Sequence, residues 1–269
     1  MKLLSMILAP IIIAMACSSQ EQKPESKEHP ELPDRMAITF KNIAEIAIVK
    51  QLTDQKSDMS PFFSRDGKRI YFTRLLSPSS DDTSNMRQYA QDEYFSIDYQ
   101  NDKMYFHDSL PEKPKPDIIS EIPLPSMTTE WPLIAYKKSK AIYFCTQSKS
   151  DKRHLNIYKL MDDSLAQISY GSRPAFLQTV SDDEHYLAFL YGKNLSRLII
   201  MDLYSGRFYE IPKGKDESNQ FDYEASFSSD SKHLLFLRSG DLHTKNDVPY
   251  GDVPYGDIWL VEFYGDSMQ

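Results

Sequence analysis

The stretch SPFFSRDGKRIYFTR spans residues 60–74, and ASFSSDSKHLLFLR spans residues 225–238. Ser64, Asp66, Phe72 and Arg74 recur as Ser228, Asp230, Phe236 and Arg238, each 164 residues later and in the same register. Each copy reads as one hairpin. An aromatic first strand runs into a polar turn, where Asp66-Gly67 suits a tight connection because glycine accepts positive φ and aspartate bonds the nearby backbone. A second strand then alternates, Ile70 and Phe72 against Tyr71 and Thr73.

Weaker copies lie between these two. Phe106 ends KMYF, Phe144 ends AIYF and Phe189 lies in YLAF. From Phe72 to Phe236 the spacings are 34, 38, 45 and 47 residues, with a mean of 41. That is the length of one propeller blade of four short strands. Third strands are expected at NIYKLMD (156–162), RLIIMDLYSG (197–206) and DIWLVEF (257–263). No stretch of helical period longer than about 12 residues stands out between residues 36 and 269. The expectation is an all-β fold, a β-propeller of four-stranded blades, four to six in number and five on the count of copies. AEIAIVKQLT (44–53) reads as a fourth strand with no blade before it, and DIWLVEF as a third strand with none after it. A last blade completed by the N-terminal strand accounts for both and removes exposed sheet edges. The alternative is an open ring with residues 38–50 as an edge strand.

The pattern F-S-x-D-G-K-x-I-x-F, followed by D-I-W-L-V-E, resembles the TolB-type β-propeller repeat of bacterial envelope proteins. AIVKQLT (47–53) is similar to that repeat's closing strand and Leu-Thr linker. The resemblance covers residues 36–269. The copy at Phe144 departs from it, with Lys137-Lys138-Ser139 in the turn, and the copy at Phe189 carries Ser181-Asp182-Asp183. Propellers of this kind act as interaction platforms, so the resemblance implies binding without catalysis.

The first residues, MKLLSMILAPIIIAMACSSQ, hold one lysine and an apolar run of 12. A spanning helix needs about 20 such residues, so residues 1–16 read as a signal peptide. Ala14-Met15-Ala16 followed by Cys17 resembles a lipobox, with Cys17 as the lipidated residue; an ordinary signal peptidase is the alternative. Residues 17–35 are polar, charged and proline-bearing, a composition that cannot offset the entropy of ordering. They read as a tether between a membrane anchor and the domain at 36–269. The expected address is the outer membrane facing the periplasm, with a soluble periplasmic or cell-surface protein as alternatives.

Net charge is −8, with no long basic run, which argues against nucleic-acid binding. No nucleophile elbow, zinc-protease motif or phosphate loop is present, and the six histidines are scattered. No catalytic residue, metal site or cofactor is therefore assigned. Paired aspartates, Asp81-Asp82, Asp162-Asp163 and Asp182-Asp183, read as turns, and Cys145 as a small buried strand residue. Arg74 and Arg238 end equivalent strands, where each either pairs with a neighbouring blade's turn or contacts a partner. DVPYGDVPYGDIW (247–259) is a tandem duplication that places Tyr250 and Tyr255 on a loop of Pro and Gly, a contact surface with little entropy to lose. The expected partner is an envelope protein or periplasmic ligand. A propeller enzyme or carbohydrate-processing subunit with an axial site, and a purely structural lipoprotein, are the alternative functions.

Overall fold

A computed structural model describes residues 39–55, 57–75, 92–113, 134–135, 139–147, 155–162, 164–169, 173–192, 195–213, 220–239 and 256–264. All fall within the unit Arg35–Gln269. Cys17, Tyr250 and Tyr255 lie outside the described residues, as do Asp81-Asp82 and most of the insertions at 75–93 and 109–123.

Among the described residues, seventeen strands build four sheets. Blade 1 is β3 (Asp58–Phe63), β4 (Ile70–Leu75), β5 (Asp92–Asp98) and β6 (Lys103–His107) in that order. Blade 2 is β7 (Ile134–Ala135), β8 (Ile142–Gln147), β9 (Leu155–Met161) and β10 (Ser164–Gln167). Blade 3 is β11 (Ala175–Val180), β12 (Tyr186–Tyr191), β13 (Arg197–Asp202) and β14 (Phe208–Glu210), with β1 (Phe40–Asn42) added in parallel at its outer edge. Blade 4 is β15 (Phe221–Phe227), β16 (His233–Ser239), β17 (Asp257–Phe263) and finally β2 (Ala47–Gln51). One 3₁₀ turn, Ile43–Glu45, separates β1 from β2 and is capped by the Asn42 side chain on the Ala44 amide at 2.9 Å.

The expected closure holds. β2 pairs antiparallel with β17, Val49 opposite Val261, so blade 4 takes its fourth strand from the other end of the chain. The three third-strand assignments hold as β9, β13 and β17. The copy at Phe106 does not. KMYF is β6, the fourth strand of blade 1, with Phe106 opposite Phe95 of β5. Phe72 and Phe106 therefore share one blade, and four blades are described rather than five. Blade 1 seats against blade 4 through β3, blade 4 against blade 3 through β15, and blade 3 against blade 2 through β11. First strands dominate these seams and so lie innermost.

Apolar residues fill each seam. Phe63, Ile70, Phe72 and Ile97 of blade 1 meet Leu235, Ile258 and Leu260 of blade 4. Leu234, Phe236 and Val261 of blade 4 meet Ala188, Leu198 and Ile200 of blade 3. Tyr143, Cys145 and Ile157 of blade 2 meet Leu187, Phe189 and Ile199. Alternation along each strand thus loads both faces, one per seam, which is why most blades read as continuous apolar runs.

The polar turns repeat in three blades. The Ser64 hydroxyl donates to Asp66 at 2.6 Å, Ser181 to Asp183 at 2.6 Å and Ser228 to Asp230 at 2.6 Å. The same serine oxygens accept the amides of Arg69, Tyr186 and His233. The Ser64 hydroxyl and the Lys68 amide hold the Asp66 carboxyl below its usual range. These residues are turn formers, as expected.

Candidate functional site

The end of the blades opposite these turns carries the repeated arginines. Arg238 Nε and Nη2 donate to Asp222 at 2.6 and 3.2 Å. Arg74 Nε and Nη2 donate to Asp58 at 2.6 and 3.1 Å. Each pair is a two-pronged fork across the first and second strands, whose Cα atoms are direct partners. Each guanidinium also lies over two rings, Arg238 over Phe236 and Trp259, Arg74 over Phe72 and Phe95. The carboxylates are fully buried, and the arginine side chains are 3 % exposed at Arg238 and 15 % at Arg74.

The salt-bridge reading of these arginines is correct in kind and wrong in partner. Each pairs within its own blade, not with a neighbouring blade's turn. Arg238 is spent on Asp222 and on the Pro212 carbonyl at 3.2 Å, so it offers no free donor edge to a partner. The 164-residue repeat extends further than the hairpin. Asp58 maps onto Asp222 and Phe95 onto Trp259. DMSPFF and DYEASF look unrelated, which hid the shared aspartate.

Blades 2 and 3 abandon the pair. Thr146 stands at the arginine position of blade 2. In blade 3, Ala175 and Tyr191 take the two positions and are Cα partners. Tyr191 packs on Phe40 at 5.5 Å. Arg197 of β13 then stacks over Phe40 at 5.1 Å and pairs with Glu210 of β14, Nε to Oε1 at 2.5 Å. The ion pair has moved outward by two strands.

A second feature sits on the innermost strands. β3, β11 and β15 each carry a bulge opposite Phe72, Phe189 and Phe236 respectively. Ser60 and Glu224 occupy the same place in two of them, with φ of 50° and 48°. Such values strain a residue with a Cβ and mark positions held by their surroundings. The Glu224 carboxylate accepts the Ser60 amide across the seam between blades 4 and 1. Its Oε2 is buried with no partner. Desolvation raises its pKa, against the opposing Lys113 charge and the Ser60 amide. Nothing in the sequence around Glu224 distinguished it from a surface glutamate of an alternating strand.

Cys145 is buried as expected. Its sulfur accepts the Leu177 amide at 2.9 Å across the seam between blades 2 and 3, and burial pushes its pKa up to about 12. Among the described residues, no three His, Cys, Asp or Glu side chains gather as a metal centre.

The four seamed sheets define a β-propeller, and its repeats resemble those of TolB-type proteins. No family profile and no curated protein matches the chain. Among solved structures it is similar to TolB from Acinetobacter baumannii, at 16 % identity and a TM-score of 0.31, over 80 % of this chain and 46 % of that one. It is similar to the β-propeller domain of the trilobed protease from Pyrococcus furiosus, at 11 % identity and a TM-score of 0.32, over 82 % and 55 %. It is also similar to an oligogalacturonate lyase from Vibrio parahaemolyticus, at 10 % identity and a TM-score of 0.26, over 78 % and 67 %. The chain thus spans about half the length of the first two.

Proposed function

We propose that this chain is an exported cell-envelope lipoprotein whose propeller is a non-catalytic platform for another protein. One observation carries the platform reading. The outermost strand of blade 1, β6, exposes Met104, Tyr105 and Phe106 in succession, with Phe106 61 % exposed. A row of large apolar side chains on a sheet edge is costly to leave in water and marks an interaction surface. Aromatic and methionine side chains are also the types that anchor protein interfaces. Signal peptide 1–16, Cys17 and the tether 17–35 supply the anchor in this reading, and Tyr250 and Tyr255 add contact area. The test is crosslinking of the full-length chain in envelope extract, read by mass spectrometry. A reproducible protein partner that is lost in Met104→Ser/Phe106→Ser supports the platform; capture unchanged by that variant removes β6 from it.

A second reading, an enzyme with an axial site, is favoured by Glu224 alone, a buried carboxyl with a raised pKa on an innermost strand. Glu224→Gln would abolish any hydrolytic or lyase activity found for the chain. Activity retained in that variant would exclude Glu224 as its acid or base.

A further inference from the structure

The outer edges of the four blades match position by position. Phe72, Phe144, Phe189 and Phe236 stand opposite Phe95, Tyr158, Ile199 and Trp259 of the third strands. Those residues in turn stand opposite Phe106, Gln167, Glu210 and Gln51 of the fourth strands. Three blades end this row on a polar side chain, whereas blade 1 ends it on a phenylalanine that is 61 % exposed. One residue earlier, blades 1 and 3 carry Tyr105 and Tyr209, where blades 2 and 4 carry Ala166 and Lys50. Two edges are therefore aromatic, those of blades 1 and 3.

Blade 3 shows what such an edge accepts. β1 joins β14 as a parallel fifth strand, with Phe40, Lys41 and Asn42 opposite Phe208, Tyr209 and Glu210. Phe40 packs on the Phe208 ring at 6.5 Å, and Tyr209 is 3 % exposed. In blade 1 the matching Met104 and Tyr105 are 45 % and 37 % exposed. Alternate amides and carbonyls of an edge strand point away from its partner, so β6 offers a hydrogen-bonding ladder as well as apolar side chains.

We propose that β6 accepts an extended segment of another protein as a parallel fifth strand, with apolar side chains at two alternate positions. This rests on the reading of β6 as the platform and names the chemistry of its partner. The β1 register supplies the pattern. One apolar residue falls opposite Met104, as Phe40 falls opposite Phe208. The residue two further on falls opposite Phe106, where blade 3 sets Asn42 against Glu210. An apolar residue there covers a ring that asparagine would leave wet. A second copy of this chain is a poorer occupant. Its own β1 is already used on blade 3, and two β6 edges meeting across a two-fold axis normal to the sheet run antiparallel. Residues 108–113, which follow β6, form no strand, and a parallel addition by the chain itself needs a crossover back to Lys103.

The test titrates the full-length chain with fluorescein-labelled peptides, read by anisotropy. The probes are the peptide of residues 37–44, AITFKNIA, and its Asn42→Ile form. The Asn42→Ile peptide is expected to bind saturably and about tenfold more tightly than its parent. Met104→Ser/Phe106→Ser is expected to weaken it by at least about tenfold. Two further forms carry N-methyl groups on alternate amides, one at even and one at odd positions. Strand addition loses one form and keeps the other, because only alternate amides face β6. That pair of probes needs no change to the chain, so the test stays decisive if the edge variant fails to fold. A benzophenone at the peptide's N-terminus is expected to crosslink near Lys103, and one at its C-terminus near His107. Equal loss with both methylated forms overturns strand addition and leaves the apolar platform standing. Crosslinks in the reverse order overturn the parallel register. No saturable binding of any peptide, or binding unchanged in Met104→Ser/Phe106→Ser, overturns the inference. So does a Tyr105→benzoylphenylalanine chain that, without peptide, crosslinks to a second copy or to its own residues 114–133.

Discussion

Removing Asp222 while keeping Arg238 leaves a guanidinium that is 3 % exposed without its counter-ion. Breaking a buried ion pair from one side costs about 3–5 kcal/mol, because the remaining charge cannot reach water. Asp222→Ala also deprives the Leu198 amide of its acceptor at 3.2 Å. At about 2–4 °C per kcal/mol for a domain of this size, the melting temperature falls by on the order of 10 °C. Blade 3 holds the control. Its Ala175 and Tyr191 occupy the same two positions without charge. Asp222→Ala/Arg238→Tyr copies that arrangement into blade 4, and replacing both partners of a buried pair by packed side chains is often close to neutral. The double variant is expected to regain more than half of the loss, as a coupling of about 1–3 kcal/mol in a double-mutant cycle. Asp58→Ala costs less, because Arg74 is 15 % exposed and water reaches the freed guanidinium. Thermal and urea unfolding of these three variants and of Arg238→Tyr alone, followed by circular dichroism, measures each step. A single variant within 1 kcal/mol of wild type, or a double variant no more stable than Asp222→Ala alone, refutes the reasoning.

Glu224→Gln is expected to stabilise the chain by about 1 kcal/mol at pH 7, because a neutral amide is cheaper to bury than a carboxylate with an unpaired oxygen. The folded pKa is raised, so the folded state holds the proton longer; the wild-type penalty is absent below the unfolded glutamate pKa and grows as pH rises through the folded value. Melts between pH 4 and 8 check this, and the gap between the two proteins must widen with pH. Gly256→Ala brings a Cβ within 2.3 Å of the Arg238 carbonyl oxygen, at the bridge where Gly256 exchanges hydrogen bonds with Asp58 of blade 1; a loss of about 1–3 kcal/mol is expected in urea unfolding. In a Cys17→Ser background, Cys145, with its pKa near 12, stays unreactive toward Ellman's reagent at pH 8 and reacts fully in 8 M urea.

Much of the fold is legible because the repeat is a local code. A Ser-x-Asp turn followed by an apolar strand fixes one hairpin, and the serine hydroxyl that accepts the amide five residues on is the same in blades 1, 3 and 4. A second local code closes blades 2 and 4. Gln51 donates to the Thr53 carbonyl and Gln167 to the Ser169 carbonyl, at 2.8 and 2.7 Å. Thr53 and Ser169 hydroxyls accept the amides of Ile258 and Ile157 on the third strands. Gln-Leu-Thr and Gln-Ile-Ser carried that signal in the sequence. Phe106 misleads because second and fourth strands are both apolar here. KMYF mimics RIYF, yet Phe72 is fully buried and Phe106 is exposed. Strand composition does not report position within a blade, whereas spacing does: Ser64, Ser181 and Ser228 stand eight residues before Phe72, Phe189 and Phe236, and Ser96 of Ser96-Ile97-Asp98 stands ten before Phe106.

The long-range features were illegible for a different reason. A bulge adds one residue to the inner strand and leaves an amide outside its own ladder. That amide must find an acceptor, because an unpaired buried N–H costs about as much as a lost hydrogen bond. Ser60 finds the Glu224 carboxylate, and Leu177, at the matching place in blade 3, finds the Cys145 sulfur. Both acceptors come from the neighbouring blade, one from a first strand and one from a second. The need is set by local backbone geometry, while the solution is supplied across a seam by whatever side chain lies there. A sequence written in repeats therefore states the need in each blade and scatters the answers. Glu224 is the costlier answer, since a carboxylate has a second oxygen to satisfy and the thiol does not. That difference makes the seam between blades 4 and 1, where the two ends of the chain close blade 4 against blade 1, more sensitive to pH than the seam between blades 2 and 3.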